Sequence, residues 1–120
     1  MTELPQKTYD LEERTYQFAR RVRHFVKRLP RTICNLEDVK QLIRASGSVG
    51  ANYIEANGAL GKKDFRLRIR ISRKEAKESI YWLRLVETGG EAAMELERGE
   101  LIQEGSELLR IFGAILRKAE

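Results

Sequence analysis

A chain of 120 residues, 42% hydrophobic and 34% charged, has room for one core that closes without disulfide or metal. The charged share excludes a membrane-spanning protein, and the apolar share excludes a disordered one. The single cysteine, Cys34, allows no internal disulfide, which predicts a reducing, cytoplasmic setting.

No apolar stretch follows the first charges, so the N-terminus does not read as a signal peptide. The formal net charge is +5, but it is unevenly spread. Residues 20–31 carry six basic side chains and no acid, and residues 62–77 carry eight against Asp64 and Glu75. Residues 91–107 carry six acids against Arg98.

Proline occurs only at positions 5 and 30, and the abundant Ala, Leu, Glu, Lys and Arg favour helix. A first helix is predicted over about residues 10–29. Asp10 with Glu13 forms a capping box, Leu11, Phe18, Val22, Phe25, Val26 and Leu29 recur at helical spacing, and Pro30 stops it. A second is predicted over about 35–60, capped by Asn35 ahead of Glu37 and Asp38. Its inner face holds Val39, Leu42, Ser46, Val49, Tyr53, Ala56 and Leu60, and Gly58 and Gly61 mark its end.

The third stretch, about 62–88, contains a contrary signal. Residues 65–71 alternate apolar and basic, the pattern of a strand. Phe65, Ile69, Ser72, Ala76, Ser79, Ile80 and Leu83 nevertheless continue a helical stripe for five turns, and a lone strand would lack a pairing partner. Helix is therefore predicted, stopped by Gly89 and Gly90. The fourth, about 100–118, turns Leu101, Leu108, Phe112, Ile115 and Leu116 inward. Four helices with short connections predict an all-α, antiparallel up-down four-helix bundle, one domain over residues 1–120.

Wound as a helix, the third stretch sorts its cations. Lys62, Arg66, Arg70, Arg73, Lys77 and Arg84 fall within about 40° of one line. Like charges three or four residues apart cost roughly 0.2–0.5 kcal/mol a pair, so something negative should face the row. Nucleic-acid phosphate is one candidate, with Arg20, Arg23 and Lys27 of the first helix enlarging the patch. A solvated face, or neutralisation by the acids of residues 91–107, are the others.

The same helix is apolar on a second side, through Leu67, Ile71, Trp82 and Leu85. A helix apolar on two sides is buried on two sides, inside the bundle or at a subunit interface. The interface is preferred, with Trp82 as its anchor. On the second helix, Ile43, Gly47, Gly50 and Ile54 form a smooth face where another backbone can approach. Its polar row of Gln41, Ser48, Asn52 and Glu55, if buried, needs partners such as Arg44, Glu75 and Glu78.

Catalytic equipment does not assemble. The only histidine, His24, stands among arginines, so neither a Glu-x-x-His metal motif nor a nucleophile–base pair is available. Gly47, Ser48 and Gly50 follow no strand and make no phosphate loop. A non-enzymatic protein with no metal and no cofactor is predicted.

The run QLIRASGSVGANYIEA at residues 41–56, KKDF at 62–65 and KEAKESIYWL at 74–83 together resemble the four-helix-bundle proteins encoded within 23S ribosomal RNA intervening sequences. The likeness extends over roughly residues 9–118. It implies a left-handed antiparallel bundle assembling into a homopentameric ring, no known enzymatic activity, and association with ribosomal RNA. A more distant likeness, to the accessory protein of diversity-generating retroelements, implies only the general mode of a bundle ring that binds nucleic acid. Ala56 stands where many members carry glycine, and the acidic connection over 89–100 looks longer than theirs.

Overall fold

Apolar side chains recurring every three or four residues can be buried together only if helices turn their stripes to a shared interior. The computed structural model describes residues 11–120 and shows that arrangement: α1 (Leu11–Lys27), α2 (Ile33–Asn57), α3 (Lys62–Leu85) and α4 (Ala92–Lys118), with no strand among the described residues. The alternating segment 65–71 lies within α3. Phe18, Val22 and Phe25 of α1 meet Leu42 and Val49 of α2, Ile69 and Leu83 of α3, and Leu101, Leu108 and Phe112 of α4 in one core.

Each helix packs on its neighbours in sequence, and α1 closes on α4. Residue numbers rise on one helix as they fall on the next. Arg14 reaches Glu104 while Arg21 reaches Glu100; Asn52 meets Arg68 while Arg44 meets Glu78.

The helix ends depart from the sequence expectations. Asp10, the expected cap of α1, lies outside the described residues. α1 stops at Lys27, although Leu29 is still buried. α2 begins two residues early because Thr32 is its cap, the hydroxyl accepting from Asn35 N at 3.1 Å. The Asn35 side chain is engaged elsewhere. Its Nδ2 donates to the carbonyls of Pro30 and Glu87, and its Oδ1 accepts from Glu87 N, each at 2.8 Å. Buried, it ties the α1–α2 loop to the chain leaving α3. At the far end α2 stops at Asn57, and Leu60, expected on the inner face, is fully exposed.

α3 ends at Leu85 rather than Thr88 because its last carbonyls find another donor. Arg98 Nη1 donates to the oxygens of Leu83, Arg84 and Val86 at 2.9, 3.2 and 2.6 Å. Gly89 and Gly90 then turn the chain at φ of 76° and 80°, where only glycine is comfortable.

α4 starts at Ala92, eight residues before the expected position. Gly99 and Gly105, each worth about 1 kcal/mol against helix, make this start uncertain in the sequence. Tertiary packing overrides them: Met94 is buried, and Gly105 sits against Ile80, whose Cγ1 would lie 3.1 Å from an added Cβ. The acidic stretch is therefore a helix face and not a connection.

Candidate nucleic-acid interface

A helix among three neighbours has one core side and two flanks. On α3 the core side carries Ile69, Ser72, Ala76, Ser79 and Leu83, all buried. The flank towards α2 carries the polar ties. The flank towards α4 carries the cation row. Lys62, Arg70, Arg73, Lys77 and Arg84 are exposed and Arg66 is half-buried. Arg66 Nε is buried without a hydrogen-bond partner. Among the described residues, none of the six makes an ion pair.

The acids of residues 91–107 do not neutralise the row, because they face elsewhere. Glu97, Glu100, Glu104 and Glu107 recur at three and four and look towards α1. Arg14 binds Glu104 through Nε at 2.7 Å and Nη2 at 3.0 Å, and also reaches Glu107. Arg21 lies 3.8 Å from Glu97 and 3.3 Å from Glu100. The hydrogen bond to Glu104 raises the pKa of Arg14 against the opposing effect of burial, helped by the negative charge of Glu104 and by Glu107. Glu95 pairs with Arg98 at 2.8 Å. Hydrogen bonds from Arg98 and then Thr88 hold its carboxyl below the usual range.

The cations expected to enlarge the patch do not adjoin it. Arg20, Arg23 and Lys27 are exposed on α1, but Arg23 lies over Gly47 of α2, its Nη2 being 3.5 Å from where a Cβ would stand. α1 and α3 stand diagonally across the core rather than side by side, so these cations form a face apart from the row. In their place α4 supplies Arg117. Its Nη1 and the Nε of Arg73 stand 3.6 and 3.8 Å from the point a Cβ on Gly113 would occupy. A hollow of about 340 Å³ opens beside them, lined by Arg70, Arg73, Lys74, Lys77 and Leu109. Arg117 and Lys74 were not singled out from the sequence. Lys74 lies off the line of the row, and nothing local relates Arg117 to a residue 44 positions earlier.

The second apolar side of α3 is largely uncovered. Leu67 and Leu85 are 49% and 46% exposed. Ile71 and Trp82 are half-buried, and exposed Tyr81 meets Trp82 edge-to-face at 5.0 Å. Central burial within the subunit therefore does not account for this face.

The polar row divides into two ties. Arg44 lies 3.4 Å from Glu75 and 3.1 Å from Glu78. Glu75 is buried, and its Oε1, although within ion-pair distance of Arg44, is too poorly aligned to hydrogen bond. Asn52 accepts from Arg68 Nη1 at 3.0 Å and donates to the Ser48 carbonyl at 2.9 Å. Gln41 and Glu55 are exposed and stand outside both ties. No group of three or more metal-ligating side chains gathers among the described residues, and His24 and Cys34 are exposed. No described helix is long and apolar enough to cross a membrane.

The smooth face of α2 receives α1. A Cβ on Gly50 would stand 2.7 Å from Thr15 Oγ1 and 3.1 Å from Thr15 Cβ, so the close approach of these helices requires glycine there.

Residues 7–112 match the 23S rRNA-intervening sequence protein family. A crystal structure of a protein of unknown function from the S23 ribosomal protein family of Bacteroides thetaiotaomicron is similar to this chain, with a TM-score of 0.75 and 26% identity. The likeness covers 88% of this chain and 96% of that one. No curated protein matches the chain.

Proposed function

Starting from a chain that belongs to the 23S rRNA-intervening sequence protein family, we propose a non-enzymatic, cytoplasmic, homo-oligomeric bundle that binds structured RNA, related to ribosomal RNA, or another nucleic acid. The observation that carries this reading is the unneutralised row on α3. Six aligned cations repel one another, and the carboxylates of α4 are held instead by Arg14, Arg21 and Arg98. A nucleic-acid backbone supplies the missing charge. Such contacts give affinity and position without reading sequence.

Self-association supports the same function. The uncovered Leu67, Tyr81 and Leu85 beside Trp82 offer an aromatic anchor for a second copy. A ring, five subunits by family resemblance, repeats a weak site around an axis and gains avidity without new contacts.

Titration of a structured RNA across salt concentration tests the reading. Binding should weaken with a log–log slope of about −0.9 for each phosphate neutralised on a duplex. A flat response overturns it. The competing reading is a protein-interaction scaffold that touches no nucleic acid. The uncovered apolar side of α3 supports it, and it predicts self-association with no RNA binding at any salt.

A further inference from the structure

Most of the α3 row is a line, and a line of cations suits the successive phosphodiesters of a backbone. One part of it is different in shape. Arg70, Arg73 and Lys77 belong to the row, and Lys74 stands beside it on the same helix, so the cations widen here from a line into a patch. With Leu109 of α4 they line the hollow of about 340 Å³. Arg117 approaches from α4 and shares the space above Gly113 with Arg73. None of these five cations makes an ion pair among the described residues.

We infer that this hollow seats a terminal phosphomonoester of a nucleic-acid strand, so that the protein recognises phosphorylated ends as well as backbone. The inference rests on the nucleic-acid reading above and specifies its ligand. A backbone phosphodiester carries one negative charge and two free oxygens. A phosphomonoester carries about −1.5 to −2 and three strong acceptor oxygens. Four cations lining one concavity, with Arg117 beside Arg73, exceed what a single diester neutralises, and two guanidinium groups can present paired N–H donors to one phosphate. A strand end can enter a hollow that a continuous backbone can only pass over. Leu109, half-buried between the cations, gives the terminal sugar an apolar contact.

The experiment compares one structured RNA hairpin in three forms: 5′-phosphorylated, 3′-phosphorylated, and with hydroxyls at both ends. Equilibrium binding of the full chain should favour one or both phosphorylated forms by about tenfold or more over the dihydroxyl form, and the two arms show which end is used. Arg73→Gln with Arg117→Gln should abolish the difference while leaving a salt-dependent residual affinity and an unchanged melting temperature, since both side chains are at the surface. Equal affinity for all three forms by the wild-type chain overturns this inference and leaves the backbone reading standing. No binding of any form overturns both. A preference that survives the double substitution places the end elsewhere and overturns the assignment to the hollow.

Discussion

The side of the molecule where α4 meets α1 and the flank where α4 meets α3 are built from the same helix and treat charge in opposite ways. Towards α1, four glutamates of α4 share Arg14 and Arg21 opposite them, so every acid there has a cation within reach. Towards α3, α4 presents Leu109, Gly113 and Arg117 to a helix that is itself cationic, and no carboxylate among the described residues pairs with its row. The acidic and basic segments of the chain thus do not cancel each other. The acids are taken up by α1 and Arg98, and the cations of α3 are left facing solvent. Charge on the first side contributes to stability; charge on the second opposes stability slightly and is available for binding.

The comparison breaks most visibly in binding. Replacing Arg66, Arg70 and Arg73 with Gln should lower RNA affinity uniformly across sequences and make the salt slope shallower by about one for each cation removed. Thermal stability should stay level or rise by a few tenths of a kcal/mol as like-charge pairs disappear. A loss of stability comparable to that of a core variant would show that the row is structural.

Next in size is Gly50→Ala on the α1 side. The added Cβ collides with Thr15, and overpacking of this kind costs about 1–3 kcal/mol, read as a lower urea midpoint. Arg14→Gln should destabilise by about 1 kcal/mol, a charged hydrogen-bond value discounted for partial exposure, without changing RNA affinity. Gly113→Ala on the other flank sharpens the contrast. Its Cβ meets only guanidinium ends at ordinary contact distance, so helix propensity should dominate and stability rise by up to about 1 kcal/mol.

The smallest effect is that of Glu95. Its carboxyl is held below its unfolded value by Arg98 and Thr88. That contribution is present at neutral pH and is lost as pH falls through the acidic carboxylate range. Glu95→Gln should flatten this part of the stability-versus-pH curve in calorimetry; an unchanged profile would show that the pair is screened out.

Much of the fold was legible because helical periodicity is a local property. Leu11, Phe18, Val22, Phe25 and Leu29 were expected inside and are buried, as are Leu42, Ser46, Val49 and Ala56. The five-turn stripe of α3 outweighed the alternation at 65–71, since a short alternating run inside a longer stripe does not change which side is buried. Ends were less legible. Asn35 has the chemistry of a cap, yet Glu87, 52 residues away, takes its side chain. Gly99 and Gly105 leave the start of α4 uncertain in the sequence, and the fit of Gly105 between Ile80 and Phe18 is visible only once three helices are assembled.

The candidate site divides in the same way. The alignment of Lys62, Arg66, Arg70, Arg73, Lys77 and Arg84 follows from 3.6 residues per turn and needs no structure. Whether a row of charge is answered depends on which helix stands opposite, and one-dimensional spacing carries no information about that. The amino-acid order alone determined four amphipathic helices, their inner faces and the crowding of cations along the third. Tertiary structure decided that the glutamates of α4 serve α1, that Arg20, Arg23 and Lys27 form a face of their own, and that Arg117 joins the row. Helices form from neighbours along the chain, whereas charges are paired by neighbours in space.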